Sequence, residues 1–172
     1  MNTNNWEDKL NRTLDPTAVQ RDILFNIITL CYAGESHPSI KGIEIGVMDA
    51  DTSFSLLERL PNLTLYGIDP DMHKTTMRDN DRSLFERLKL IEVESDLAIN
   101  AFKHKVDFVW VDGDHSYEQV KRDILNYKPI AKKFIGGHDY GSQAYAGVKK
   151  AVDEIFGDRV IVLSDFVWLV RM

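Results

Sequence analysis

The sequence predicts an α/β fold: a doubly wound (Rossmann-like), mostly parallel sheet of about seven strands, helices on both faces and an antiparallel last strand. Three observations carry this. Apolar runs of strand length alternate with helix-period segments from residue 40 onward, as in a parallel sheet covered on both sides. The last two apolar runs, "RVIVLS" and "FVWLVRM", are joined by almost nothing, so they must form a hairpin and one of them must run backwards. Acidic groups also collect where the strands end.

Taken in order, residues 1–14 are polar and are expected to form a loosely held segment, with residues 15–172 as a single domain. Asp15 can cap a first helix and Pro16 suits its first turn. Val19, Ile23, Leu24, Ile27, Ile28 and Cys31 repeat at helical spacing, and Gly34 ends it. "IKGIEIGV" reads as a strand and "TSFSLLERL" as a short helix closed by Pro61. "LTLYGID" is a strand, "MRDNDRSLFERL" a helix with a solvated face, "LKLIEVE" a strand and "DLAINAF" a helix. "VDFVWVD" is a strand, "YEQVKRDILNYKPI" a helix, "KKFIGG" a strand and "AYAGVKKAVDEIF" a helix. Trp110, Trp168 and Phe166 are read as core strand residues, and His37, His73 and His104 as surface. Trp6 is read as a surface anchor.

Composition narrows the function classes. With 172 residues the chain fits one domain with a substantial core, and 44% hydrophobic with 28% charged residues is ordinary for a globular protein. A net charge of -6 argues against a nucleic-acid partner, which needs a basic face. The apolar stretch around Ile23 to Ala33 is too short to span a bilayer, and "MNTNNWEDKLNRTL" lacks the pattern of a signal peptide. A single Cys31 fits a reducing compartment. A cytoplasmic protein with no membrane partner is the expectation, and homo-oligomerisation is left open.

In open parallel sheets ligands bind outside the carboxyl ends of the strands. Glu44 with Gly46, Asp69, Asp96, Asp112, and His138 with Asp139 all fall at such ends. A solvated turn explains any one of them, but explains the whole set poorly. Asp69 before Pro70 also reads as a simple turn residue. Asp114 reads either as a cap for the helix near Ser116 or as a metal ligand, and His115 either as a base or as a residue that orders its loop.

"GIEIGVMDADTS", "LYGIDPD", "VDFVWVDGDHSYEQVKRDI", "FIGGHDY" and "GVKKAVDEIF" occur in that order. Across residues 40 to 172 the chain resembles a class I S-adenosylmethionine-dependent methyltransferase. The resemblance is closer to the small-molecule O-methyltransferase branch that includes macrocin-type and cephalosporin-biosynthesis enzymes. It implies S-adenosylmethionine as cofactor and a small-molecule or sugar hydroxyl as acceptor. Glu44 and Gly46 match the family's E-x-G, with the acid facing the cofactor's amino group. Thr52 and Ser53 match small hydroxyl residues that hold its carboxylate at a helix start. Asp69 matches the acid that accepts from the ribose hydroxyls, and Ser95 with Asp96 the polar pair near the adenine.

In metal-dependent relatives the positions of Asp112, His138 and Asp139 hold one Mg²⁺. His138 stands where many relatives have a carboxylate, and an imidazole shifts the preference towards manganese or zinc. His115 matches a histidine that serves macrocin-type relatives as base, which makes His115 and Asp112 the catalytic candidates. Two departures fall in the first loop: Ala50 and Met48 stand where relatives have glycine, which predicts a tighter loop. The rival readings are a non-catalytic cofactor-binding subunit and a metal-dependent hydrolase built on "DGDH". A nicotinamide oxidoreductase fits less well, because the first loop lacks G-x-G-x-x-G.

Overall fold

In this computed structural model the described residues are 19–36, 38–72 and 82–172. Asp15 and Pro16, Trp6, His37, His73 and the first five residues of the segment read as a helix from Met77 lie outside them. Helix α1 spans Gln20–Cys31 and buries Ile23, Leu24, Ile27 and Ile28, the stripe its apolar spacing dictates. Strand β1 (Ile40–Ile45) is followed by α2 (Asp51–Arg59), β2 (Leu63–Ile68), the short α3 (Arg82–Phe85) and β3 (Leu88–Ile91). Helix α4 (Ser95–Ala98) leads into β4 (Val106–Val111), α5 (Tyr117–Tyr127), β5 (Ala131–Gly137), α6 (Ala146–Phe156), β6 (Ile161–Val162) and β7 (Trp168–Arg171).

These strands form one sheet in the order β3-β2-β1-β4-β5-β7-β6. The pairs β1–β2, β1–β4, β2–β3 and β4–β5 are parallel, and β7 is antiparallel to both β5 and β6. The order reverses between β1 and β4, so the crevice outside their carboxyl ends is the expected ligand position. All six residues of β4 are buried, as its unbroken apolar sequence requires of a central strand covered on both faces. One core packs α1 and α2 against the sheet through Ile27, Phe54 and Leu57, with Phe108 beneath them. The other packs α5 and α6 through Ile124, Tyr127 and Val152 against Val109 and Ile135.

The C-terminal hairpin differs from its sequence reading. Strand β6 holds only two residues, and Phe166, expected in the core, is 50% exposed. It sits in a tight turn in which Leu163 N–H donates to Val167 O and Val167 N–H to Ser164 O. Asp165 and Phe166 have φ of 53° and 55°, the positive values that a type I′ hairpin turn requires at both central positions. Trp110 and Trp168 are fully buried and His104 is exposed, as read from the sequence. Among the described residues, no helix is long and apolar enough to cross a membrane.

Candidate active site

The strand ends converge because the parallel ladder continues one residue past each strand. Gly46 N–H donates to Ile68 O, Asp112 N–H to Ile45 O, and Asp69 N–H to Ile91 O. Gly46, at φ 86°, cannot be replaced without collision: a Cβ there would lie 2.2 Å from Asp112 O. The β1–α2 loop therefore presses against the start of the D-G-D-H stretch. A cleft of about 310 Å³ opens over this junction, a size suited to a small molecule. Gly46, Asp69, Ser95, Asp112 and His115 line it.

Asp69 organises the loop. Its Oδ2 accepts from Val47 N–H at 2.9 Å and Met48 N–H at 3.0 Å, and its Oδ1 from Asp71 N–H at 2.9 Å. Oδ2 is filled by its two donors, while Oδ1 keeps a lone pair, so one hydroxyl donor can still be accepted from the cleft. Met48 and Ala50 adopt φ of 51° and 64°. The loop thus follows the left-handed path that glycine takes without strain, although it carries side chains at both positions.

The structure sets Glu44 and Ser53 behind the cleft wall. Ser53 donates a hydrogen bond to the Glu44 carboxyl, and both residues are buried. Burial, more than any neighbouring charge, pushes Glu44 up to about 8. Thr52 is half-buried in the first turn of α2. Ser95 reaches the cleft, whereas Asp96 does not: its carboxylate accepts from Arg122 Nε at 3.0 Å and Asn126 Nδ2 at 2.9 Å on the outer side.

Asp112, His115, His138 and Asp139 do come together. Each of Asp112, His138 and Asp139 offers an atom within 4.8 Å of the others, close enough to hold one cation. Two carboxylates with one imidazole suit manganese or zinc better than magnesium. Asp139 stands at φ 61°, local strain of the kind found at working sites. His115 Nε2 lies 2.9 Å from Asp139 Oδ2 and 3.6 Å from Asp112 Oδ1, and its ring stacks on Tyr145 with centroids 4.2 Å apart. The Asp112 carboxylate, reinforced by the charges of Asp139 and Asp114, holds the His115 pKa above its ordinary value against partial burial. Asp114 itself accepts from Ser116 N–H at 2.7 Å, a local turn, while Ser116 caps α5.

Sequence reasoning missed Gln119 and Asp123 on α5, which also line the cleft. A signal was present: Asp123 falls on the same helical stripe as Val120, Ile124 and Tyr127, and an acid on a buried stripe must serve a polar partner.

A seven-stranded sheet of this order and direction, with a cleft at the carboxyl ends of β1, β2 and β4, defines a Rossmann-like methyltransferase fold. The family model described as "Methyltransferase domain" matches residues 43–140, and the chain belongs to that family. Among solved structures, one assigned as a caffeoyl-CoA O-methyltransferase from Staphylococcus aureus is similar at a TM-score of 0.69 and 11% identity, covering 96% of this chain and 88% of that one. One assigned as an O-methyltransferase from Klebsiella pneumoniae gives 0.64 at 14% identity, covering 96% and 86%. The cofactor-bound Rv0187 from MTB gives 0.64 at 15%, covering 96% and 85%. At these identities the likeness is one of fold. No curated protein matches significantly.

Proposed function

We propose that this chain transfers a methyl group from S-adenosylmethionine to a hydroxyl oxygen of a small-molecule or sugar acceptor. The observation that carries the reading is the meeting of Asp112 and His115 at the cleft that Asp69 and Gly46 also line, with Asp139 set against His115. S-adenosylmethionine, when bound, supplies an electrophilic methyl group on sulfur. The chain's own part is to orient the acceptor oxygen and remove its proton, for which His115 in its neutral form is the base. Asp112 and Asp139 then stabilise the imidazolium that forms. Asp112, His138 and Asp139 are the residues that would hold a divalent cation, manganese or zinc in preference to magnesium, to lower the pKa of the acceptor hydroxyl. The motif resemblance favours the macrocin-like branch, and the net charge of -6 favours a small acceptor over nucleic acid. A cytoplasmic location belongs to the same reading.

Paired assays test it. His115→Ala should lower turnover by ~10²–10⁴ while binding of S-adenosylhomocysteine survives. Asp112→Asn should abolish activity and any dependence on added Mn²⁺ together. Unchanged turnover in His115→Ala would remove the base, and metal stimulation persisting in Asp112→Asn would remove the cation site.

A further inference from the structure

Strand β2 is covered unevenly. Leu63 and Leu65, on one face, are buried, whereas Thr64 and Tyr66, on the other, are only half-buried. The cause is the crossover from β3 to β4, which packs on that second face through Ala98, Ile99 and Phe102. Its helical part, Ser95–Ala98 and Ile99–Ala101, rises only about 12 Å, while a six-residue strand such as β2 is about 20 Å long. A cavity of about 270 Å³ is left beside the amino ends of β1 and β4, and Tyr66, Ile91, Phe102 and Val106 form its apolar wall. The Tyr66 and Phe102 rings meet edge to face, with centroids 5.3 Å apart.

The mouth of this cavity is basic. Lys41, from β1, and Lys103, His104 and Lys105, from the loop before β4, line it, and among the described residues no acid does. All four are exposed, and none of their side chains forms an ion pair or hydrogen bond with another described residue. Asp107, the acid nearest in sequence, is engaged by Lys41 N–H at 2.8 Å and by Lys132 Nζ at 3.5 Å. The whole chain carries 27 acidic against 21 basic residues, so an acid-free cavity ringed by three lysines runs against its net charge. A recess with one sign of charge and apolar walls concentrates ligands of the opposite sign.

We infer that this cavity is a second ligand site, which takes a small aromatic anion: an aryl phosphate or an aryl carboxylate. The ring packs against Tyr66 and Phe102, and the charged group lies among Lys41, Lys103 and Lys105. A bare phosphate would leave the apolar wall in water, and an aromatic cation would face the lysines. The site is about 20 Å from the active-site cleft, because β4 runs six residues from Val106 at the cavity to Asp112 at the cleft. The two places differ in sign as well, since Asp69, Asp112 and Asp114 line the cleft. The inference therefore stands apart from the methyltransferase reading.

NMR titration of the isotope-labelled full chain tests this with phenyl phosphate, benzoate, inorganic phosphate and benzamidine. At least one aryl anion should saturably shift the amides of Tyr66 and of residues 102–106. It should bind about tenfold or more tightly than inorganic phosphate, because its ring leaves water. The tighter of the two aryl anions names the charged group. Benzamidine, a ring of similar size with a positive charge, should leave these amides unmoved. Lys103→Glu combined with Lys105→Glu should weaken the aryl anion about tenfold while the amide spectrum of the rest of the fold is retained. Inorganic phosphate binding as tightly as the aryl anions would reduce the feature to counter-ion attraction, and benzamidine binding equally would reduce it to an apolar recess. Either result overturns the inference, as does the absence of saturable shifts at these residues or unchanged affinity in the double variant.

Discussion

Burial ties the Glu44 carboxyl to the pH dependence of stability. Its carboxyl, ordinarily near 4.5, is pushed up to about 8 by burial, with Asp112, Asp49 and Asp69 adding repulsion and Ser53 opposing it. A carboxyl with a raised folded-state pKa binds its proton more tightly in the folded protein, so stability falls as pH climbs from about 4.5 to about 8. Glu44→Gln removes that slope. The difference in melting temperature between variant and wild type should therefore grow between about pH 5 and about pH 8, and a constant difference would mean that Glu44 does not titrate in this range. Strain is stored nearby at Met48 and Ala50. Met48 has φ 51°, so Met48→Gly relieves left-handed strain of about 1 kcal/mol, partly offset by the freer unfolded chain. Ala50→Gly relieves similar strain but loses a fully buried methyl, about 0.8 kcal/mol, so denaturant melts should find it close to neutral. Both variants should keep or improve affinity for S-adenosylhomocysteine, and much weaker binding would show that the loop needs its side chains.

At the scale of elements, α6 is pressed onto the loop that carries His115. A Cβ at Gly147, in the first turn of α6, would lie 2.5 Å from Tyr117 N and 2.8 Å from His115 O. Gly147→Ala must push the helix and loop apart, costing about 1–3 kcal/mol in urea unfolding and lowering turnover more than cofactor affinity. Equal loss of both would mean that the contact supports the whole fold rather than the His115 loop. Element order was legible in the sequence because each buried strand is a continuous apolar run, as in Val106–Val111, and each helix shows its own stripe. Element length was less so. The run "RVIVLS" yields only Ile161–Val162 as strand, because the turn at Asp165 and Phe166 ends the pairing early and carries the Phe166 ring to the surface.

Across the whole molecule, parallel pairing gathers at one edge the acids that the sequence scatters. Asp69, Asp112 and Asp139 follow β2, β4 and β5, and that much could be read locally from where apolar runs stop. Which side chains turn into the cleft could not, because partners far apart in sequence decide it. Ser53 turns inward to Glu44, nine residues away, and Ser95 bonds Asp123, 28 residues away, while Arg122 draws Asp96 outward. On the proposed function this cleft takes S-adenosylmethionine, and Asp69 both anchors the first loop and receives the ribose. Titration of S-adenosylhomocysteine into wild-type protein and Asp69→Ala, followed by calorimetry, tests it most directly. Saturable binding at one site, weakened about ten- to a hundredfold in the variant, is expected; no heat of binding in the wild type would mean that the cleft does not take this cofactor.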